Sequence, residues 1–378
     1  MLCLLSETHH SKLLIMPHIE KHNKTRSHIR KGWINDRING TQQIFIINNQ
    51  CVTIVPLCRC KQQNFCYAAS WQLVTFIEMR IDTKYLWIAV TGLLVILSDS
   101  SAAAQADSTY RSLHFGSTHT PFPDTGRANG YLDGDHVFRP VTGHYDDSSV
   151  LLIIPGGLRK DRTVDLVFWF HGWHNNIDTA VEFYALARQL AASGRNAILV
   201  MPEAAKNAAD SYGGKLRQNG MFKGLVGDVL YELKSKGIVD RKAVPGHIVL
   251  AGHSGAYSVI ADILQSGQAP VDEVFLFDAL YGRLPVFLNC IREDNHHHFG
   301  HWYTNHGGGT DEMSDSLMLQ LQNLHRDYLL TTEADLKPSQ IRDNRILFVH
   351  SLREHNVIIN DPDDFRLLLE NSLFLRGH

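Results

Sequence analysis

The chain has 378 residues, 44% of them hydrophobic and 20% charged, with a formal net charge of −3; this is ordinary globular composition and bounds the chain at one large domain or two smaller ones. From residue 107 onward, 25 Lys and Arg stand against 33 Asp and Glu with no basic stripe, which leaves nucleic acid and anionic membrane surfaces without an electrostatic basis. No internal repeat stands out, and no G-x-G-x-x-G opening a helix or Walker-type loop is present, so nucleotide binding has no motif behind it.

Five of the six cysteines (Cys3, Cys51, Cys58, Cys60, Cys66) precede residue 79, and only Cys290 follows. The spacing of Cys58, Cys60 and Cys66 matches no paired C-x-x-C framework. From Met79 the sequence reads as a secretory signal peptide. Arg80 and Lys84 form the basic region and Tyr85 to Leu97 the apolar run, with an A-x-A site at Ala104 to Ala106. The apolar run is shorter than the ~20 helical residues a bilayer core requires. The reading divides the chain into residues 1–78, an upstream mis-start or disordered extension; 79–106, the signal peptide; 107–148, an irregular lead-in; and 149–378, the folded domain. A secreted or periplasmic location follows, with no stable membrane insertion after cleavage. One cysteine in the exported part leaves the fold to stand on its core.

In the exported part, Ser149 to Ile154 is the first clear strand, and the continuous apolar run Asp165 to Phe170 reads as a central strand covered on both faces. The polar stretch His171-Gly172-Trp173-His174-Asn175-Asn176 follows it. Helical spacing covers Thr179 to Ser193, a buried strand Asn196 to Met201, a loop 202–220, and a second helix Phe222 to Lys236. After the segment His247 to Gln265 come a strand at Val274 to Phe277, the loop opened by Asp278, and a strand at Phe299 to Thr304. A helix over Met313 to Tyr328, a last strand at Arg345 to Ser351 and a helix at Asp363 to Leu373 complete the chain. Alternating strands and helices predict a mostly parallel sheet with helices on both faces.

The segment HIVLAGHSGAYSVIADILQ, residues 247–265, carries the chemistry. It reads as a strand, a tight turn at Ser254 and a helix, the arrangement that pushes a serine Oγ clear of a sheet. In Gly252-His253-Ser254-Gly255-Ala256 an alanine stands where the second glycine of Gly-x-Ser-x-Gly is usual. Small residues are needed there because strand and helix backbones pass close together.

With FHGWHNN after one strand, AGHSGAY after a later one, and an Asp and a His after strands later still, residues 149–375 resemble the α/β-hydrolase superfamily. The resemblance implies a serine hydrolase of the carboxylesterase kind working without a cofactor or metal. A peptidase or amidase on the same residues, and a non-catalytic binding protein on the same fold, are the alternatives. Serine needs a base, and histidine has the pKa for it. The base expected is His355, in the polar loop after the last strand, over His350 inside it. The acid expected is Asp278, at the end of the VFLF run, with Asp311 and Glu312 as the alternative position. For the oxyanion, Gly255 supplies one backbone N–H, and the second comes from Gly172 or Trp173. His296, His297, His298, His301 and His306 lack metal-ligand spacing and read as a solvated, His-rich loop. The polar loops 202–220 and 283–312 lean toward a small ester or carbohydrate-linked acyl substrate.

Overall fold

The computed structural model describes residues 109–266, 269–293, 297–306 and 309–378, together with three strands near the N-terminus. The chain divides into two compact units, Met1–Leu86 and Trp87–His378. In the first, β1 (Arg30–Asp36), β2 (Gly40–Ile47) and β3 (Gln50–Ile54) form an antiparallel meander. The expected signal peptide at 79–106 lies outside the described residues, as does the Cys58 to Cys66 cluster.

The second unit is built on a nine-stranded sheet. Its strands in chain order are β4 (Tyr110–Gly116), β7 (Ser149–Pro155), β8 (Thr163–Phe170), β9 (Ala197–Pro202), β10 (Val244–His253), β11 (Glu273–Phe277), β12 (His298–Thr304), β13 (Leu329–Thr332) and β14 (Ile346–Ser351); β5 (Tyr131–Leu132) and β6 (Phe138–Arg139) form a separate small hairpin. Across the sheet the order is β13-β14-β12-β11-β10-β8-β9-β7-β4. The seven strands from β13 to β9 are parallel, and β7 and β4 add antiparallel pairings at one edge. Among the described residues eight helices surround it: α1 (Ile177–Phe183), α2 (Leu186–Ala192), α3 (Met221–Ser235), α4 (Tyr257–Ser266), α5 (Leu284–Glu293), α6 (Thr310–Asn323), α7 (Pro338–Asp343) and α8 (Asp364–Glu370). Among the described residues no helix is long and apolar enough to cross a membrane.

Alternation along each central strand sends side chains to two cores. Leu166, Phe168 and Phe170 of β8 and Ile248 and Leu250 of β10 join Phe222, Val229, Ile260, Phe287 and Leu317 of α3 to α6 on one face. Val167, Trp169, Val249 and Ala251 join Ile177, Leu190, Ile341 and Phe365 of α1, α2, α7 and α8 on the other. Because both faces are covered, these strands read as unbroken apolar runs.

Four expectations are corrected. The lead-in 107–148 is not wholly irregular, since Tyr110–Gly116 pairs with β7 along its length and the sheet begins there rather than at 149. As an edge strand with exposed and half-buried residues, YRSLHFG lacks the apolar run that marks the centre. Helix Thr179 to Ser193 is two helices broken at Ala185, which takes φ +50° in the left-handed region. The segment 283–312 is not a loop insertion around the expected strand alone, because it also carries α5. Finally, His298 and His301 are fully buried in β12, not solvated: His298 Nδ1 meets the Glu273 carboxylate at 2.7 Å and His301 Nδ1 lies 3.2 Å from Ser314 Oγ.

Candidate active site

The C-terminal ends of β8, β10, β11 and β14 bring the singled-out residues to one edge of the sheet. Ser254 follows β10 directly and adopts φ +55° before a single 3₁₀ turn leads into α4. For a residue with a Cβ this left-handed conformation costs about 1 kcal/mol and persists only where the surroundings fix it. They do so by close packing: a Cβ on Gly252 would lie 2.6 Å from that of Ala256 and 2.9 Å from the Phe170 carbonyl. Gly252 therefore has to be glycine, and the methyl of Ala256 fills the space it leaves.

Asp278 directly follows β11, is fully buried, and takes φ +44°. Its Oδ2 receives His355 Nδ1 at 2.6 Å and Thr304 Oγ1 at 2.8 Å, while Oδ1 receives the Thr304 N–H at 3.2 Å and the Thr310 hydroxyl. Burial alone would raise its pKa. The bonds from His355, Thr310 and Thr304 outweigh that and hold the carboxyl below its usual range. Asp311 stands in the first turn of α6, half-buried, where an acid favours the helix N-terminus, and the hydrogen bond to His355 comes from Asp278. His350, inside β14, instead bonds Asn305.

Ser254, Gly255, Trp173 and His355 line one cavity of about 490 Å³, with Ser211, Tyr257 and Tyr281. Gly172 packs directly beneath Ser254: a Cβ there would come within 2.7 Å of the Ser254 Cβ and 2.9 Å of the His253 carbonyl. The loop after β8 thus runs against the elbow, and Trp173 is fixed over it by an Nε1–H bond to Ser211 Oγ at 2.8 Å. His174 and Asn175 turn away from the cavity, His174 to Asp135 at 3.0 Å and Asn175 to the Asn176 N–H.

A serine elbow after a central parallel strand, with the Asp and His after later strands of the same sheet, decides the architecture. The fold is that of the α/β-hydrolases. Two residues at this site were not found in the sequence. Ser211 holds Trp173. His253 ties the loop of His355 to the core: its Nε2 lies 2.9 Å from the His355 carbonyl and its Nδ1 3.0 Å from Tyr184 Oη. The carbonyl can only accept, so Nε2 carries the proton and Tyr184 donates to Nδ1. The helix break at Ala185 follows directly on Tyr184, which is turned into the core.

Burial, together with the nearby His355, pushes the His253 pKa down to about 3, and burial does the same for His301, to about 3. A histidine held neutral in the fold binds fewer protons than in the unfolded chain below its ordinary pKa of about 6.5. Stability is therefore lost as pH falls from about 6.5 toward 3, by on the order of 1–2 kcal/mol per site at about pH 5. Urea unfolding near pH 7 and pH 5 is expected to show this loss, reduced in His301→Gln. An unchanged midpoint would mean that both rings take up protons inside the fold.

No family model and no curated protein matches the chain. Among solved structures it is similar to an S-formylglutathione hydrolase from Staphylococcus aureus, at 10% identity over 70% of this chain and 96% of that one, TM-score 0.43. A feruloyl esterase module from Clostridium thermocellum is similar at 13% identity over 72% and 91%, TM-score 0.45. An S-formylglutathione hydrolase from Agrobacterium tumefaciens is similar at 9% over 70% and 95%, TM-score 0.41.

Proposed function

We propose that this protein is an exported serine hydrolase that cleaves an ester through an acyl-enzyme intermediate. The observation that carries the reading is the 2.6 Å bond between His355 Nδ1 and the buried Asp278, in a site where His355 and the strained Ser254 line the same cavity. With Nδ1–H donated to the carboxylate, the lone pair of His355 sits on Nε2 and is free to accept a proton. Ser254 Oγ attacks the ester carbonyl as His355 takes its proton, and the oxyanion forms against the N–H groups of Gly255 and of the Gly172–Trp173 segment. His355 then protonates the departing alcohol. Water deprotonated by the same ring releases the acid and restores Ser254. Asp278 stays ionised throughout, orienting the ring and stabilising its cationic form.

The reading is tested by turnover of short p-nitrophenyl esters beside the matching anilides. Ester turnover well above anilide turnover is expected, and the reverse would favour a peptidase or amidase. Gly172→Ala, whose methyl meets Ser254 and backbone, is expected to lower kcat by about 10²-fold and to destabilise by about 1–3 kcal/mol. Unchanged kinetics would remove this loop from the oxyanion site. Export rests on the signal-like segment 79–106, and N-terminal sequencing of the cell-made protein tests it: a start at Asp107 is expected, and a start at Met1 would refute it.

A further inference from the structure

Beside the site lies a second cavity, of about 670 Å³, bounded by Tyr212, Arg217, Asp262 and Arg283. Ser211 and Tyr281 line the first cavity where Tyr212 and Arg283 line the second, and α4 offers Tyr257 to one and Asp262 to the other. Five residues of helix correspond to about 8 Å of rise. A molecule that occupies both cavities would have to span at least about that length.

The second cavity is organised around one buried acid and two arginines. Asp262 is buried; Arg283 Nη1 donates to its Oδ1 at 2.8 Å, and Arg217 Nε lies 3.8 Å from its Oδ2. Two guanidiniums against one carboxylate leave a positive charge uncancelled, and burial raises the Asp262 pKa. The other charges nearby are engaged: Arg127 with Asp210, Lys215 with the Thr118 carbonyl, and Asp124 with the Tyr212 hydroxyl.

Both arginines are held in place. Arg283 Nη2 also donates to Gln265 Oε1 at 2.7 Å, and the Arg217 guanidinium lies 5.1 Å from the centre of the Tyr212 ring. Each guanidinium carries five N–H groups, so donors remain after these bonds. Arg283 has φ +61°, a conformation a non-glycine residue keeps only where its surroundings over-determine it. Gln218, Asn219 and Ser266 add amides and a hydroxyl to the wall.

We propose that this cavity is a subsite for a sugar carboxylate, so that the substrate is an ester carried on a uronate-bearing saccharide. Paired guanidiniums match the geometry and charge of a carboxylate, and the amide and hydroxyl wall matches sugar hydroxyls. The link to turnover rests on Ser254 being the nucleophile, whereas binding in the cavity does not depend on it.

The test is calorimetric titration of the full chain carrying Ser254→Ala with digalacturonate and, separately, with neutral galactobiose. Digalacturonate is expected to bind more tightly by at least about tenfold, with an advantage that shrinks as salt rises. Arg217→Gln and Arg283→Gln are each expected to abolish most of that advantage, and Arg217→Lys to keep part of it. Because Arg217 is the more exposed, its variants report even if Arg283→Gln fails to fold. Equal affinity for both sugars, no binding of either, or a preference unmoved in Arg217→Gln would overturn the subsite. None of these results bears on the ester chemistry, which fails separately if Ser254 is not labelled by a fluorophosphonate.

Discussion

Ser254→Ala is expected to lower kcat on a p-nitrophenyl ester by roughly 10⁴- to 10⁶-fold, with little change in the urea midpoint. The size of the loss follows from the role. Without Oγ no acyl-enzyme forms, and only the oxyanion donors and binding remain to favour hydrolysis by water. The stability is preserved because alanine keeps the backbone strain at φ +55° and leaves the packing of Gly252 against Ala256 as it was. Steady-state kinetics of the purified variant beside wild type measures the effect. A variant retaining a tenth or more of wild-type kcat would place the nucleophile elsewhere.

Asp278→Asn is expected to cost about 10⁴-fold in kcat with a small change in KM. The reason lies in the donors around the carboxylate. Oδ1 receives the Thr304 N–H and the Thr310 hydroxyl, so the asparagine carbonyl belongs on that side. Its NH₂ then replaces Oδ2, facing Thr304 Oγ1 and His355 Nδ1. A hydroxyl can turn and accept, but Nδ1 must give up its proton to accept as well. His355 is left in the tautomer with the proton on Nε2, unable to take one from Ser254. The shape of the site survives while its base is lost. Kinetics of Asp278→Asn and Asp311→Asn side by side decide the matter: loss in the first alone is expected, and loss in the second alone would move the acid to α6.

The fold was legible wherever sequence period and burial coincide. β8, β9 and β11 are covered on both faces, so their apolar runs are unbroken, and Ser254, Asp278 and His355 stand where such runs end. β4 was missed because an edge strand alternates exposed and half-buried residues without an apolar run. Helix α5 could have been found, since Leu284, Phe287 and Ile291 recur at helical spacing with Pro285 in the first turn. The break at Ala185 carries no glycine or proline, and the neighbouring Tyr184 bonds a histidine 69 residues away.

The same limit applied within the site. Asp278 and Asp311 both follow strands, and nothing local separates them. What does so is the pair Thr304 and Thr310, brought to Asp278 from 26 and 32 residues further along the chain. His253 stands between Gly252 and Ser254 with nothing local to mark its role, and its bond to the His355 carbonyl spans 102 residues. Buried His298 and His301 were read as solvated because histidine clusters carry no hydrophobic period, and only β12 lying between β11 and β14 places them inside.

The central claim, that Ser254 is a nucleophile activated by His355, is tested most directly by fluorophosphonate labelling of the full chain followed by peptide mass spectrometry. One adduct is expected, on the peptide containing Ser254, and it should be absent from Ser254→Ala and nearly so from His355→Ala. A folded protein that takes no label, or takes it on another residue, would contradict the account.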